Sequence, residues 1–222
     1  MSGFKSEVET GVRGALTSAT KLLAGTLVLG EGLRFGKDIV EGAAQLQKSV
    51  ETINAEFGAA SKTVTDFGAK GATSLGISAQ LADATSAKFG VLFHNLGIGP
   101  QKAAEMTVGF EKLAGSIASI RGIDPSTVLQ SLPLAAAGAT RSLKQIGITV
   151  DPLQEKFVAF RLGLTNSVTA PLTNAQKAIA IYTIATQHLG DFQAQAGKHA
   201  GDLADVQARL SAECWNNQSA LG

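Results

Sequence analysis

Cysteine is almost missing from this chain. Cys214 stands alone, so no intramolecular disulfide framework can form and no thiolate zinc site can be built from it. A lone thiol fits a reducing compartment or an assembly indifferent to thiols. Aromatic residues are also scarce, 5% against 45% apolar overall. The apolar content is therefore mostly Ala, Leu, Val and Ile, which suit thin seams between helices better than a thick core. Five prolines beside 25 glycines fit helices interrupted by glycine rather than a β-sandwich. No sign of charge dominates: 19 basic and 18 acidic residues leave a net charge of +1, with no like-charge block. A broad phosphate-attracting face, and with it sequence-specific nucleic-acid binding, is disfavoured. A secretory leader is not recognisable either. The apolar run of residues 22–30 starts too late, Glu7 and Glu9 precede it, and no A-x-A cleavage site follows.

The motifs of catalysis are missing as well. The nearest approach to a phosphate loop is Gly30-Glu31-Gly32-Leu33-Arg34-Phe35-Gly36-Lys37-Asp38. A phosphate-binding loop needs glycine where Glu31 stands and a hydroxyl where Asp38 stands, and carboxylates at both places repel phosphate. A glycine-broken join between helices is the better reading. His188 with Asp191 and His199 with Asp202 repeat a three-residue spacing, yet no H-E-x-x-H frame supports a metal centre. His94 and the other two histidines read as surface or helix-end residues. No G-x-S-x-G elbow occurs, Cys214 has no paired histidine, and no carboxylate pair stands out in apolar surroundings. The expectation is a non-enzyme without cofactor or metal.

What the sequence does contain is helical periodicity. Ile39, Ala43, Leu46, Val50, Ile53, Phe57, Ala60, Val64 and Phe67 alternate spacings of four and three over four heptads, the pattern of a coiled-coil-like seam. At about 1.5 Å per residue such a helix runs roughly 40 Å and needs a partner, either another helix of this chain or a second copy. The face formed by Ile39, Leu46, Val50, Ile53, Phe57, Val64 and Phe67 is thus a candidate for self-association, with an internal seam as the equal alternative. Gly32-x-x-x-Gly36 permits close helix approach in addition.

Shorter helices follow. Ser78 caps one that Gly97 stops, Pro100 opens another that ends at Arg121-Gly122, and Asp124-Pro125 and Asp151-Pro152 are start signals. Pro133 is expected to kink or end its short helix. Residues 148–150 read as extended, Thr173 caps a further helix, and the last runs from about residue 200 with Leu203, Val206 and Leu210 on one face. The expected fold is all-α: an apolar, glycine-interrupted segment (1–36), a heptad-patterned long helix (37–76, coiled-coil-like over 37–70), then a bundle of shorter helices (77–222) with one or two very short extended pieces.

Residues 14–30 carry one charge, Lys21, and sit at the lower length limit of a membrane span. Leu16, Leu22, Leu23, Leu27, Val28 and Leu29 form the candidate membrane segment. The alternative function is therefore a membrane-active, oligomeric helical protein that inserts residues 14–30.

One ordered set of motifs adds to this. It runs through Gly122-Ile123-Asp124-Pro125 and Arg141-Ser142-Leu143-Lys144-Gln145-Ile146-Gly147-Ile148. It continues with Thr173-Asn174-Ala175-Gln176-Lys177-Ala178, Tyr182 and Gly190-Asp191-Phe192, and ends with Leu203, Gln207, Leu210, Ala212-Glu213 and Trp215. In order and spacing this set resembles the conserved region of phage tail tape-measure proteins, more loosely from Phe57 to Ala60. The resemblance implies a helical scaffold of the tail-tube lumen that sets tail length during virion assembly and takes part in viral genome ejection. It implies other copies of the chain, the tail tube protein, tail assembly chaperones and tail-tip proteins as partners, with the host membrane met at ejection. Synthesis in the bacterial host cytoplasm and a final place in the virion tail follow from the same resemblance. Fully helical, the chain spans about 330 Å, and Cys214 separates Glu213 from Trp215 where the family has them adjacent. A fragment or truncated form is expected.

Overall fold

The computed structural model describes residues 31–70, 72–187, 189–190 and 203–221, and among these every regular element is helical. The helices are α1 (Glu31–Phe57), α2 (Ser61–Lys70), α3 (Ala79–Asn95), α4 (Pro100–Arg121), α5 (Pro125–Ala136), α6 (Arg141–Gln145), α7 (Pro152–Arg161), α8 (Asn174–Thr186) and α9 (Leu203–Leu221).

Local chemistry explains most of the boundaries. Ser78 Oγ accepts the Leu81 N–H at 3.2 Å at the start of α3. Asp124 Oδ1 accepts from Ser126 N and Asp151 Oδ1 from Leu153 N, both at 2.7 Å, each just ahead of a first-turn proline. Thr173 and Gln176 form a reciprocal capping box at α8. These side chains satisfy N–H groups that the first helical turn leaves without an intrahelical acceptor. Pro133 does not end α5, which runs through it to Ala136. Leu132, Ala135 and Ala136 are buried around it, and with one turn remaining the lost N–H leaves little ladder to break. Residues 148–150 form no strand; Ile148 and Val150 are buried as irregular chain.

The heptad stripe does not lie on one straight helix. Phe57 ends α1, a single 3-10 turn spans Gly58–Ala60, and α2 begins at Ser61. Gly58 takes φ of +51°, a conformation that costs glycine nothing and penalises any side chain. The stripe nevertheless keeps its phase across the turn, because Ile53, Phe57, Ala60 and Val64 are all buried. Both halves of the stripe pack on α3 and α4.

One core cluster contains Ile53, Phe57 and Val64 together with residues as far along as Ala185, so the domain division expected at residue 76 falls inside a continuous core. At its centre the rings of Phe93, Phe89 and Phe110 stack at 5.4 and 5.2 Å, and Tyr182 meets Phe110 edge-on at 5.2 Å. This chain of rings joins α3, α4 and α8, with favourable offset and edge contacts added to the burial. Tyr182 can approach because position 109 of α4 is glycine: a Cβ there would collide with the phenol ring.

Candidate functional site

The side chains of the stripe divide along its length. Ile53, Phe57 and Val64 are 0% exposed within the single chain, Phe67 is packed against the same core, and Leu46 and Val50 are half-buried. Ile39 lies on α1 ahead of the residues whose side chains are described. From Ile53 onward the candidate self-association face is thus an internal seam. The cause is close packing of α1 on α3, where Gly90 sits so near the Phe57 ring that a Cβ would overlap it. Glu56 Oε2 lies 2.6 Å from His94 Nδ1 at the same contact, where the end of α1 meets the last turn of α3.

Buried carboxyls are the feature that sequence reasoning missed. Glu111 on α4 is 0% exposed. Its Oε1 accepts the Ser86 hydroxyl of α3 at 2.7 Å, while Oε2 is buried without a hydrogen-bond partner among the described residues. Burial pushes the Glu111 carboxyl up to about 8, against the pull of Ser86, and the neighbouring charge of Asp83 adds to the rise. Asp83, one turn before Ser86, is lifted to about 6 by burial alone. Gly68 of α2 approaches Asp83 so closely that a Cβ would lie 2.8 Å from Oδ1. Three helices thus meet over two carboxyls that bind protons more tightly than exposed ones. Among the described residues no three His, Cys, Asp or Glu side chains come together as metal ligands. The sequence offered little to find it by. Glu111 is embedded in Gly, Ala and Ser positions that α4 buries on nearly every side, and Asp83 lies on a different helix.

A groove of about 630 Å³ opens between α1, the start of α3, the α4–α5 joint and α9, with Gln45, Ser49, Gln80, Ile123, Pro125 and Trp215 among its walls. Asn216 fastens α9 there: its Oδ1 accepts the Ala79 N–H at 2.8 Å and its Nδ2 donates to Thr73 Oγ1 at 3.0 Å.

Residues 31–38 of the glycine-rich stretch belong to the helix α1 rather than to a loop. Leu16, Leu22, Leu23, Leu27, Val28 and Leu29 lie outside the described residues, as do His188 and His199. Among the described residues no helix is long and apolar enough to cross a membrane.

Among the described residues the protein is all-helical. No family model, curated protein or solved structure matches the chain.

Proposed function

We propose that the chain is a structural component of a phage tail that resembles tape-measure proteins and acts as a helical scaffold during tail tube assembly and length determination, with a part in genome ejection. The observation that supports this is the ordered motif set of residues 122–215, considered together with where its members sit. Gly122-Ile123-Asp124-Pro125 makes the α4–α5 joint, with Gly122 at φ +62° and Asp124 capping. Residues 141–148 make α6 and its exit turn, and Thr173 and Gln176 close the capping box of α8. Residues of the set shape joints between helices, as a scaffold requires. Its partners in this reading are further copies of itself, the tail tube protein, tail assembly chaperones and tail-tip proteins.

The test is the genomic context followed by reconstitution. Genes for a tail tube protein and tail chaperones are expected beside this frame, and the purified chain should be retained inside tubes polymerised from that tube protein. Unrelated neighbouring genes, or tubes that assemble without retaining the chain, would sink the proposal.

A further inference from the structure

Helix α7 is built the wrong way round for a surface helix. Its inward side carries Glu155, Val158 and Ala159, all buried. Its bulky residues point the other way: Leu153 is 71% exposed, Phe157 53% and Phe160 46%. These three recur at spacings of four and three, so they form one stripe along the helix. An amphipathic helix ordinarily turns such a stripe to the core, and a contiguous apolar patch on the outside marks a contact surface. The stripe is flanked by Lys156 on one side and Arg161 on the other.

A second outward stripe lies on α9. Ala208, Arg209, Ala212 and Asn216 turn toward the chain, whereas Val206, Leu210 and Cys214 are exposed at spacings of four, Leu210 by 59%. Exposed Glu213 stands beside this stripe, two turns beyond Val206 on nearly the same line, bordering Leu210 and one turn past the half-buried Arg209. The two helices belong to different parts of the fold. α7 packs chiefly on α8, and α9 on the 3-10 turn at Thr73–Leu75, α1 and α3.

We propose that the α7 face of one copy docks on the α9 face of another, so that the chain associates head to tail through two different surfaces. Charge selects this pairing over the symmetric ones. Joining α7 to α7 would bring Lys156 and Arg161 against their own kind, and joining α9 to α9 would set Glu213 beside Glu213. The mixed pairing places Lys156 and Arg161 around an apolar seam that carries Glu213. A contact between unlike surfaces leaves one free face at each end, so copies add in series rather than stopping at a dimer. The pairing stands on the two helix faces alone and holds or fails independently of the tail reading. Each stripe is short, well under the roughly 800 Å² per partner of a standard interface, so association is weak and concentration-dependent.

The full chain is followed by sedimentation over a range of concentrations, beside K156E/R161E and K156E/R161E/E213K. Wild type is expected to pass beyond dimer as concentration rises, the double variant to need about tenfold more protein, and the triple variant to recover. Thermal melts of the same samples at low concentration report that each remains folded. The register is read with L153C. Oxidation with copper–phenanthroline should join the thiol introduced at position 153 to Cys214 of a neighbour and give a ladder of multimers. A monomer at all concentrations would overturn the proposal. So would association that ignores the charge reversals, or crosslinks found only between like positions.

Discussion

Replacing Glu111 by glutamine keeps the shape of the side chain and removes its titration. In the wild-type fold Glu111 has no exposed surface and its carboxyl titrates at about 8, against an ordinary value of 4.5. The folded chain therefore holds a proton through a pH range in which the unfolded chain has released it, and stability must fall as pH rises through that range. The contribution is fully present below 4.5 and is lost progressively up to the folded value. At about 1.4 kcal/mol per pH unit, the loss reaches roughly 3 kcal/mol by pH 7 and about 5 kcal/mol once pH passes 8. Asp83, lifted to about 6 by burial, follows the same sign over a lower window, so measurements from pH 6.5 upward isolate Glu111. Urea unfolding at half-unit steps from pH 6.5 to 9.5 should show wild type losing about 1 kcal/mol per unit until it levels off near pH 8 to 8.5. E111Q should lack that descent and become the more stable protein at pH 9. Its amide oxygen still accepts from Ser86, which limits the loss at low pH to about 1 kcal/mol. Parallel wild-type and E111Q profiles would refute the argument, since they would mean that Glu111 already ionises freely in the folded chain.

The packing of the stripe sets the cost of emptying it at two positions. Phe57→Ala should cost about 3–5 kcal/mol in chemical denaturation, because it empties a fully buried site against α3. Leu46→Ala, on the half-buried part of the stripe, should cost less than half as much, and equal costs would contradict the internal seam. If residues 14–30 insert in membranes, vesicles of neutral phospholipid should bind the full chain and lose it when Leu23 and Leu27 are both changed to Asp; binding that survives both charges removes that role.

The parts of this fold that the amino-acid pattern discloses are those decided within a turn or two of chain. Ser78, Asp124, Asp151 and Thr173 cap helices because a side-chain oxygen and an unpaired N–H lie two or three residues apart, and no distant contact is needed to bring them together. The phase of the stripe from Leu46 to Val64 is legible for the same reason. What covers the stripe is not, because four-and-three spacing is identical whether the partner is α3 of the same chain or another molecule. The 3-10 turn at Gly58–Ala60 falls inside the stripe without breaking its phase. Glu111 is illegible for a related cause. A glutamate in an alanine- and glycine-rich helix reads as solvent-facing until three helices are found to close over it.

Helix α7 shows how this kind of composition distributes its bulk. Where two helices meet inside the chain, one of them often contributes glycine: Gly90 against Phe57, Gly109 against Tyr182, Gly115 against Leu75. Backbones approached that closely leave little room for large side chains on both surfaces, so a few rings and leucines fill the interior and alanine completes it. In α7 the inward position is filled by Ala159 and Val158, and a phenylalanine turned inward would have to displace α8. Phe157 and Phe160 stay outside, 53% and 46% exposed. A chain of thin seams cannot bury every large residue it carries, and those it leaves exposed in register along a helix become surfaces through which it can bind something else.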